Sequence, residues 1–341
     1  MSKVSILTAV YNSERHLRKC LDSLVNQTLR DIQIICIDDH STDSSLSILQ
    51  EYASNDSRIV VLEQSENQGQ AVARNRGLEI ADGEYITMLD SDDWFGVDAL
   101  EKLYNSFETY PDADCALFKL MMCYPIEGSD EFRVEEFTNR TTHKLLDGKD
   151  AFLLSLDFSI HGLYMVRSDL HKRYPYDTSC RTYSDDNTSH LHYLHSRQVV
   201  FSGGEYFYNK HDDSITTKPS LNRFDFMYAN LSMKRQLLDE QRNGVFPDRK
   251  EFDGILNFYE TYRWLNIIDT YYFYFTHKEM FSIEDRKSIK RRFRDMLYTI
   301  EPRRISWHLH LKPGYIPFKR WWLFKGQEEG YFRLRRIIFR D

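Results

Sequence analysis

The sequence predicts an α/β fold with a mixed, mostly parallel sheet flanked by helices, followed by a mainly helical C-terminal extension. Three observations predict it: strand-like and helix-like segments alternate over the first 120 residues, carboxylates follow two of the strands, and apolar residues recur at helical spacing after residue 222. A chain of 341 residues with 41% hydrophobic content is long enough for one large domain and an appendage. We predict domains at 1–219 and 220–341, with the boundary near Pro219.

The first part of the chain reads as repeated βα units. Residues 4–10 form a short apolar run, a helical apolar pattern follows over 17–25, and 32–37 is again strand-like. Further helices are predicted over 44–52, 71–80 and 97–107, and further strands over 59–62, 85–89 and 115–121. Such alternation indicates a mostly parallel sheet covered by helices.

The middle and the end of the chain give fewer signals. Polar residues over 127–142 predict a loop, 150–156 a helix and 199–208 a strand. From residue 222 onward the pattern is helical, with one apolar stripe whose members recur every three or four residues: Phe258, Tyr262, Leu265, Ile268, Tyr272 and Phe275.

Charge is unevenly distributed along the chain. The net charge is −7, yet residues 286–341 contain 16 Lys and Arg against 5 Asp and Glu, so a basic tail follows an acidic body. Aromatic residues interleave with the cations of this tail, namely Trp307, Tyr315, Phe318, Trp321, Trp322, Phe324, Tyr331, Phe332 and Phe339. This combination favours an anionic membrane surface as the partner of residues 303–341.

Two other interpretations of the tail stay open or are disfavoured. The aromatic residues fit equally well if they pack on the rest of the protein or on a second subunit of a homodimer. Nucleic acid is disfavoured because the acidic body repels phosphate and no binding motif accompanies the tail. No apolar run approaches the roughly 20 residues that span a bilayer, so we expect a cytoplasmic protein, peripheral at the inner face of the membrane.

Acidic clusters directly follow two predicted strands. Asp38 and Asp39 come after one strand, and Asp90, Asp92 and Asp93 surround Ser91 after another. Ligands of parallel sheets bind beyond the carboxyl ends of the strands, and adjacent carboxylates repel unless a cation offsets them. Oxygen ligands suit Mg²⁺ or Mn²⁺. The alternative is a solvated turn that caps the next helix.

Six motifs in this order and spacing resemble family 2 glycosyltransferases of the GT-A fold. The residues that carry the resemblance are 4–12, Gln27-Thr28, 38–43, 67–69, 73–75, 83–86 and 89–94. It covers residues 1 to about 110 well and continues more weakly to about 217. Its Val-Pro is replaced by Thr8-Ala9 in this chain.

The resemblance implies where a nucleotide-sugar donor binds. Tyr11 and Asp39 would contact the base, Arg74 would lie near the diphosphate, and Asp92 would bind Mn²⁺ or Mg²⁺ as the last residue of an Asp-x-Asp element. The substrate-binding residues expected on this basis are Thr8, Tyr11, Asp38, Asp39, Arg74, Asp90, Ser91 and His211. His211 lies in a segment, 208–217, that resembles the part of the family that closes over the diphosphate.

Inverting transfer also needs a base that removes the proton of the acceptor hydroxyl. Tyr183-Ser184-Asp185-Asp186 resembles the second acidic motif of the family, usually Glu-Asp at the start of a helix, and makes Asp186 the expected base. Asp185 replaces the customary Glu, so a register shifted by one residue stays open. A plain helix cap is the non-catalytic alternative.

These features predict a metal-dependent hexosyltransferase that moves a sugar from a UDP-sugar to a glycan or lipid-linked acceptor in bacterial surface polysaccharide synthesis. A catalytically inactive nucleotide-sugar or glycan-binding relative is the alternative. A Mg²⁺-dependent phosphoacceptor module would also place paired aspartates at a strand end, but it would leave the second acidic cluster and Asp186 unexplained.

Overall fold

The computed structural model describes residues 2–129, 131–179, 182–211 and 219–339, which belong to two compact units, Met1–Asp212 and Asp213–Asp341. The predicted fold class is confirmed, with a mixed, mostly parallel sheet between helices in the first unit and helices in the second. The boundary near Pro219 stays a prediction, because residues 212–218 lie outside the described residues.

The described part of the first unit contains one ten-stranded sheet. Its strands are β1 (Val4–Val10), β2 (Ile32–Asp38), β3 (Ile59–Glu63), β4 (Tyr85–Met88), β5 (Trp94–Phe95), β6 (Ala113–Pro125), β7 (Phe132–Glu136), β8 (Leu145–Asp147), β9 (Tyr164–Arg167) and β10 (Gln198–Asn209). The strand order is β3-β2-β1-β4-β9-β6-β10-β5, with β7 beside β6 and β8 beside β10. β1 to β4 run parallel, as do β6 and β10, whereas β9 is antiparallel to both of its neighbours.

Parallel register brings the carboxyl ends of three strands to one edge of the sheet. Val10 of β1 pairs with Asp38 of β2, and Leu7 of β1 pairs with Met88 of β4. Strands in such a sheet are about 4.8 Å apart, so the residues that follow β2 and β4 lie within reach of one ligand. The sheet therefore assembles the two acidic clusters.

Helices cover both faces of this sheet. They are α1 (Leu17–Val25), α2 (Ser45–Asn55), α3 (Gln70–Ile80), α4 (Ala99–Thr109), α5 (Gly148–Ser155), α6 (Ser168–Arg173) and α7 (Ser184–Leu194). Leu17, Cys20, Leu21 and Leu24 of α1 are buried, as the spacing of an amphipathic helix requires. The central strands are buried on both faces, which explains their continuous apolar sequences.

Part of the middle region differs from the prediction. The predicted loop 127–142 contains β7, an edge strand whose residues are mostly exposed and therefore polar. The sequence analysis did not predict β8, β9 or α6. Short strands and edge strands carry few apolar residues, so their pattern does not separate them from loops.

The second unit is helical. Its helices are α8 (Asp225–Arg242), α9 (Arg249–His277), α10 (Ile283–Thr299) and α11 (Trp321–Phe339), joined by short 3₁₀ segments. Trp264 and Tyr271 of α9, Phe293 of α10 and Phe324 of α11 meet in one aromatic core. None of the helices in the described residues is both long and apolar enough to cross a membrane.

The predicted apolar stripe of α9 is wrong in phase. Phe258 and Leu265 are exposed, whereas Glu260, Arg263 and Trp264 are buried. Tyrosine and phenylalanine occur all around this helix, so the apolar pattern did not define one face. The buried charges are paired: the Glu260 carboxylate accepts a hydrogen bond from Arg263 and lies 3.0 Å from the Lys234 ammonium.

Candidate active site

The loops after β1 and β2 are held together by their own side chains. The Asn12 carboxamide oxygen accepts a hydrogen bond from the Thr42 backbone N–H at 2.8 Å, and the hydroxyls of Ser13 and Ser91 are 2.7 Å apart. Asn12, His40 and Tyr183 have positive φ angles of 50°, 64° and 63°. Strained backbone of this kind concentrates at functional sites, and here it borders the carboxyl edge of the sheet.

Asp38 and Asp39 are both buried at the end of β2 and bind the chain itself. One Asp38 oxygen accepts the Ser41 N–H at 3.0 Å, and the other has no hydrogen-bond partner in the described residues. Asp39 accepts hydrogen bonds from the Gln64 side chain at 2.6 Å and from the N–H groups of Gln68 and Gly69 at 2.8 Å. Asp39 thus holds the 64–69 loop, and one of its lone pairs is left for a ligand.

Arg74 is the buried cation of the site. Its guanidinium is 1% exposed, donates a hydrogen bond to Asp90, and lies 3.9 Å from the Asp185 carboxylate and 5.4 Å from the Tyr176 ring centre. Its Nε and Nη1 have no hydrogen-bond acceptor in the described residues. A buried guanidinium with two unused donors is suited to an additional anion.

Burial of Asp90 and the nearby carboxylates of Asp92 and Asp185 raise the pKa of Asp90 to about 6, against the opposing effect of Arg74. The carboxylates of the site outnumber its buried cation. An anionic ligand therefore meets net repulsion here unless a further cation accompanies it.

Asp92 and His211 form the second part of the site. The His211 Nε2 atom donates to the Asp92 carboxylate over 2.8 Å, and the His211 ring stacks on His16 with ring centres 4.6 Å apart. Together with Lys19 and Asn209 these residues line a cavity of about 350 Å³. The structure thus brings His211, which is distant in sequence, to the Asp-x-Asp turn.

The donor set at this point fits Mn²⁺ or Mg²⁺. Neighbouring ligands about 2.1 Å from an octahedral ion are about 3 Å apart, close to the 2.8 Å that separates the Asp92 oxygen from the His211 nitrogen. The described residues contain no group of three or more His, Cys, Asp or Glu arranged around a common point. Such an ion would therefore need substrate oxygens, and phosphates commonly supply them.

The two carboxylates at the start of α7 face different surroundings. Asp185 points to Arg74, whereas the Asp186 carboxylate makes no hydrogen bond or ion pair within the described part of the chain. Burial and the neighbouring Asp185 raise the pKa of Asp186 well above its usual range. Asp186 is thus the unengaged carboxylate beside the Arg74 cluster.

The remaining predicted residues lie around this cluster at different depths. Thr8 is fully buried in β1 and its hydroxyl has no hydrogen-bond partner in the described residues. Tyr11 is exposed after β1, and Ser91 is buried beneath the acidic turn. Their roles in substrate binding stay predictions. Of the predicted closing segment 208–217, residues 212–217 lie outside the described residues.

Sequence reasoning missed the residues that support the site. Asp93 is buried and accepts hydrogen bonds from the Tyr206 hydroxyl at 2.8 Å and the Asn209 N–H at 2.7 Å. The Asn75 carboxamide exchanges two 2.9 Å hydrogen bonds with the backbone of Tyr176, which places that ring beside Arg74. Asn75 belonged to a recognised motif, but Tyr176 is 101 residues away and carried no signal.

The sequence of residues 5–171 matches the family described as glycosyl transferase family 2. The poly(ribitol-phosphate) beta-glucosyltransferase of Bacillus spizizenii is 50% identical over 121 residues, which are 35% of this chain and 19% of that protein. The glycosyltransferase GlyG of Streptococcus pneumoniae is 28% identical over 239 residues, 66% of this chain and 75% of that protein. The chain thus spans only about a fifth of the Bacillus spizizenii relative.

A crystal structure of S. aureus TarS 1–349 in complex with UDP-GlcNAc has the same fold. The two superimpose with a TM-score of 0.70 over 97% of this chain and 92% of that one, at 18% sequence identity. The similarity includes the helical part that follows the sheet, since it covers nearly all of both chains.

Proposed function

This chain belongs to glycosyl transferase family 2 through residues 5–171, and on that premise we propose that it moves a hexose from a nucleotide-diphosphate donor to an acceptor hydroxyl with inversion. The observation that carries the proposal is the buried Arg74, which has two unused donors and lies between Asp90 and Asp185. A diphosphate is an anion that this guanidinium can bind in a fork-like arrangement.

The proposed donor is a UDP-sugar and the proposed product is a bacterial surface polysaccharide. S. aureus TarS, which shares the fold, is described in complexes with UDP and UDP-GlcNAc, and this makes UDP the first nucleotide to test. The Bacillus spizizenii relative is described as acting on poly(ribitol-phosphate). A glycan or lipid-linked acceptor of the surface-polymer class is therefore the acceptor that we propose.

In the proposed reaction the acceptor oxygen attacks the anomeric carbon from the face opposite the nucleotide. The bond between that carbon and the diphosphate oxygen breaks, and Asp186 takes the proton of the attacking hydroxyl. A carboxylate with a raised pKa is a stronger base than an ordinary one, which suits this role. Arg74 orients the diphosphate, and Asp39 with its 64–69 loop holds the nucleotide base.

Asp92 and His211 are the residues that would hold Mn²⁺ or Mg²⁺. When bound, the ion supplies Lewis-acid stabilisation of the negative charge that grows on the departing diphosphate. Asp90 stays with Arg74, and Ser91 supports the turn from below through Ser13. The surplus of carboxylates over the buried arginine supports metal dependence, because the diphosphate otherwise meets repulsion.

The test is metal-dependent release of free nucleotide from a panel of UDP-, GDP- and dTDP-sugars. We expect UDP-sugars to be hydrolysed with Mn²⁺ or Mg²⁺ and to be spared when a chelator is added. Preference for a GDP- or dTDP-sugar would overturn the choice of UDP while keeping the class of enzyme. Binding of nucleotide-sugars without release under any of these conditions would instead indicate an inactive binding relative.

A further inference from the structure

The aromatic residues of the basic tail divide into two sets in the second unit. Phe324 and Phe332 are buried in its core, and Tyr315, Phe318, Trp321 and Tyr331 pack partly against it. Trp307 and Trp322 are 74% and 64% exposed. Packing within the protein therefore accounts for most of the aromatic residues but not for these two tryptophans.

The fold also removes the carboxylates of this segment from its surface. Glu328 is fully buried, and Glu329 accepts a hydrogen bond from the Tyr271 hydroxyl at 3.1 Å. Between residues 303 and 337, the charged side chains that the structure describes as exposed are all basic: Arg303, Lys312, Lys319, Arg320, Lys325, Arg333 and Arg335. The exposed charge on this stretch thus has a single sign.

Exposed apolar and basic residues share one face of α11. Arg333 and Ile337 follow Trp322 by eleven and fifteen residues, close to three and four helical turns, so the three side chains lie on the same side. The Lys319 ammonium is 5.2 Å from the centre of the exposed Tyr298 ring, which extends this face to the end of α10. We call Tyr298, Lys319, Trp322, Arg333 and Ile337 the α11 face.

We propose that the α11 face binds the surface of an anionic lipid bilayer, with α11 lying along the interface. Trp and Tyr side chains settle at the depth of the lipid headgroups, and Lys and Arg are attracted to anionic lipids. Helices that lie in this interface combine an apolar set with a basic set in the same way. The single sign of the exposed charge complements an anionic leaflet.

A second copy of this chain is a poorer occupant for the same surface. A twofold interface brings identical patches together, so two α11 faces would oppose their own cations across the contact. The bilayer meets no such repulsion. The proposal concerns the second unit alone and does not depend on the proposed function of the first.

The test is sedimentation of the full chain with vesicles. We expect it to sediment with vesicles of equal parts phosphatidylglycerol and phosphatidylcholine at low salt, and to stay in solution with phosphatidylcholine alone. High salt should release it, because exposed charges are screened. Trp322→Ser, and Lys319→Gln combined with Arg333→Gln, should each lower the partition coefficient by about tenfold. Point substitutions are needed because deleting the tail from residue 303 also removes Phe324 and Phe332 from the core.

Matched controls lie elsewhere on the second unit. Ile283→Ser changes an apolar residue that is 73% exposed, on the same helix as Tyr298 but about 22 Å away along the axis. Arg242→Gln removes an exposed cation at the end of α8. Both controls should bind vesicles like the wild type. The proposal is overturned if the wild type ignores anionic vesicles, if the controls lose binding equally, or if Trp322→Ser instead converts a dimer to a monomer in light scattering.

Discussion

At the level of single residues, the candidate site depends on how one buried arginine is shared among several carboxylates. Arg74 donates to Asp90 and approaches Asp185, and it keeps two N–H groups in reserve. Asp92 is paired with His211 and Asp186 is unpaired within the described residues. Each carboxylate therefore has a different neighbour, and substitutions at the three positions should have different consequences.

Substitution of Asp92 should separate metal binding from nucleotide binding. Asp92→Asn is expected to reduce turnover at least a hundredfold, because a neutral ligand weakens the hold on the cation that offsets the diphosphate charge. In calorimetry, Mn²⁺ should strengthen UDP binding to the wild type and leave that of the variant unchanged. Asp112→Asn, at an exposed site, is the matched control. Equal UDP affinity of the wild type with and without Mn²⁺ would contradict the assignment.

Substitution of Asp186 should impair chemistry without impairing donor binding. Asp186→Asn is expected to reduce transfer about a hundredfold or more, at unchanged UDP affinity. Asp185→Asn should mainly raise the KM for the donor, because Asp185 is the neighbour of Arg74. If the two variants exchange these effects, the catalytic register is shifted by one residue.

The same assignment fixes the sign of the pH dependence. A base acts in its deprotonated form, and the pKa of Asp186 is raised by burial and by Asp185. Transfer by the wild type should therefore fall as pH drops through a value above the usual range of an aspartate. An acidic limb at the ordinary aspartate pKa, measured as kcat/KM against pH, would speak against Asp186.

At the level of elements, β10 holds the acidic turn in place. The Tyr206 hydroxyl on β10 donates to Asp93 and accepts the Asp90 N–H at 3.3 Å, and the Asn209 N–H also binds Asp93. The turn after β4 is thus attached to a strand more than a hundred residues later. This attachment explains why a third carboxylate is kept next to the Asp-x-Asp element.

Loss of the Tyr206 hydroxyl should destabilise the first unit. Tyr206→Phe leaves one oxygen of the buried Asp93 without its donor, at a cost of about 1–3 kcal/mol in urea unfolding. Tyr110→Phe is the comparison, because the described residues show no hydrogen bond to that hydroxyl. It should change the free energy of unfolding by much less. Equal effects of the two substitutions would exclude this role for Tyr206.

At the level of the whole molecule, the two units respond to pH through buried groups of opposite kind. Burial lowers the pKa of His190 in the first unit to about 3, and burial raises the pKa of Glu328 in the second to about 8. Both groups are neutral in the folded protein near neutral pH. The free energy of unfolding is therefore linked to pH in opposite directions at the two positions.

His190 should make the first unit weaker as pH falls. The Ser155 hydroxyl donates to the Phe152 carbonyl, so it accepts the His190 Nδ1–H at 2.8 Å, a bond that an asparagine amide can replace. Unfolding frees His190 to take up a proton below about pH 6.5. The destabilisation caused by His190→Asn should thus be about 2 kcal/mol smaller at pH 5 than at pH 8. A pH-independent difference would show that His190 is charged in the folded state.

Glu328 should make the second unit weaker as pH rises. The folded protein keeps the proton of this carboxyl up to about pH 8, whereas the unfolded chain releases it near pH 4.5. Stability is lost between these values, and Glu328→Gln should remove the loss. We expect the variant to gain about 3 kcal/mol relative to the wild type between pH 5 and pH 8 in urea unfolding. Glu329→Gln, at a partly exposed neighbour, should show no comparable gain.

The sequence by itself determined the order of the first elements and the chemistry of the acidic clusters. Strands buried on both faces are continuous apolar runs, so β1 to β4 could be located closely, and the family motifs identified Asp39, Arg74 and Asp92 without a structure. These features are local, because each depends on a few consecutive residues whose pattern survives in the sequence. The same holds for the uneven charge of the chain.

Only the tertiary structure decided which distant groups meet. The pairings of Asp92 with His211, Asp93 with Tyr206 and Asn75 with Tyr176 join residues about 100 or more positions apart. The phase of α9 also depended on partners, because Glu260 and Arg263 are buried only where Lys234 and Thr299 satisfy them. Burial and pairing are properties of three-dimensional neighbours, so no periodicity within one segment could reveal them.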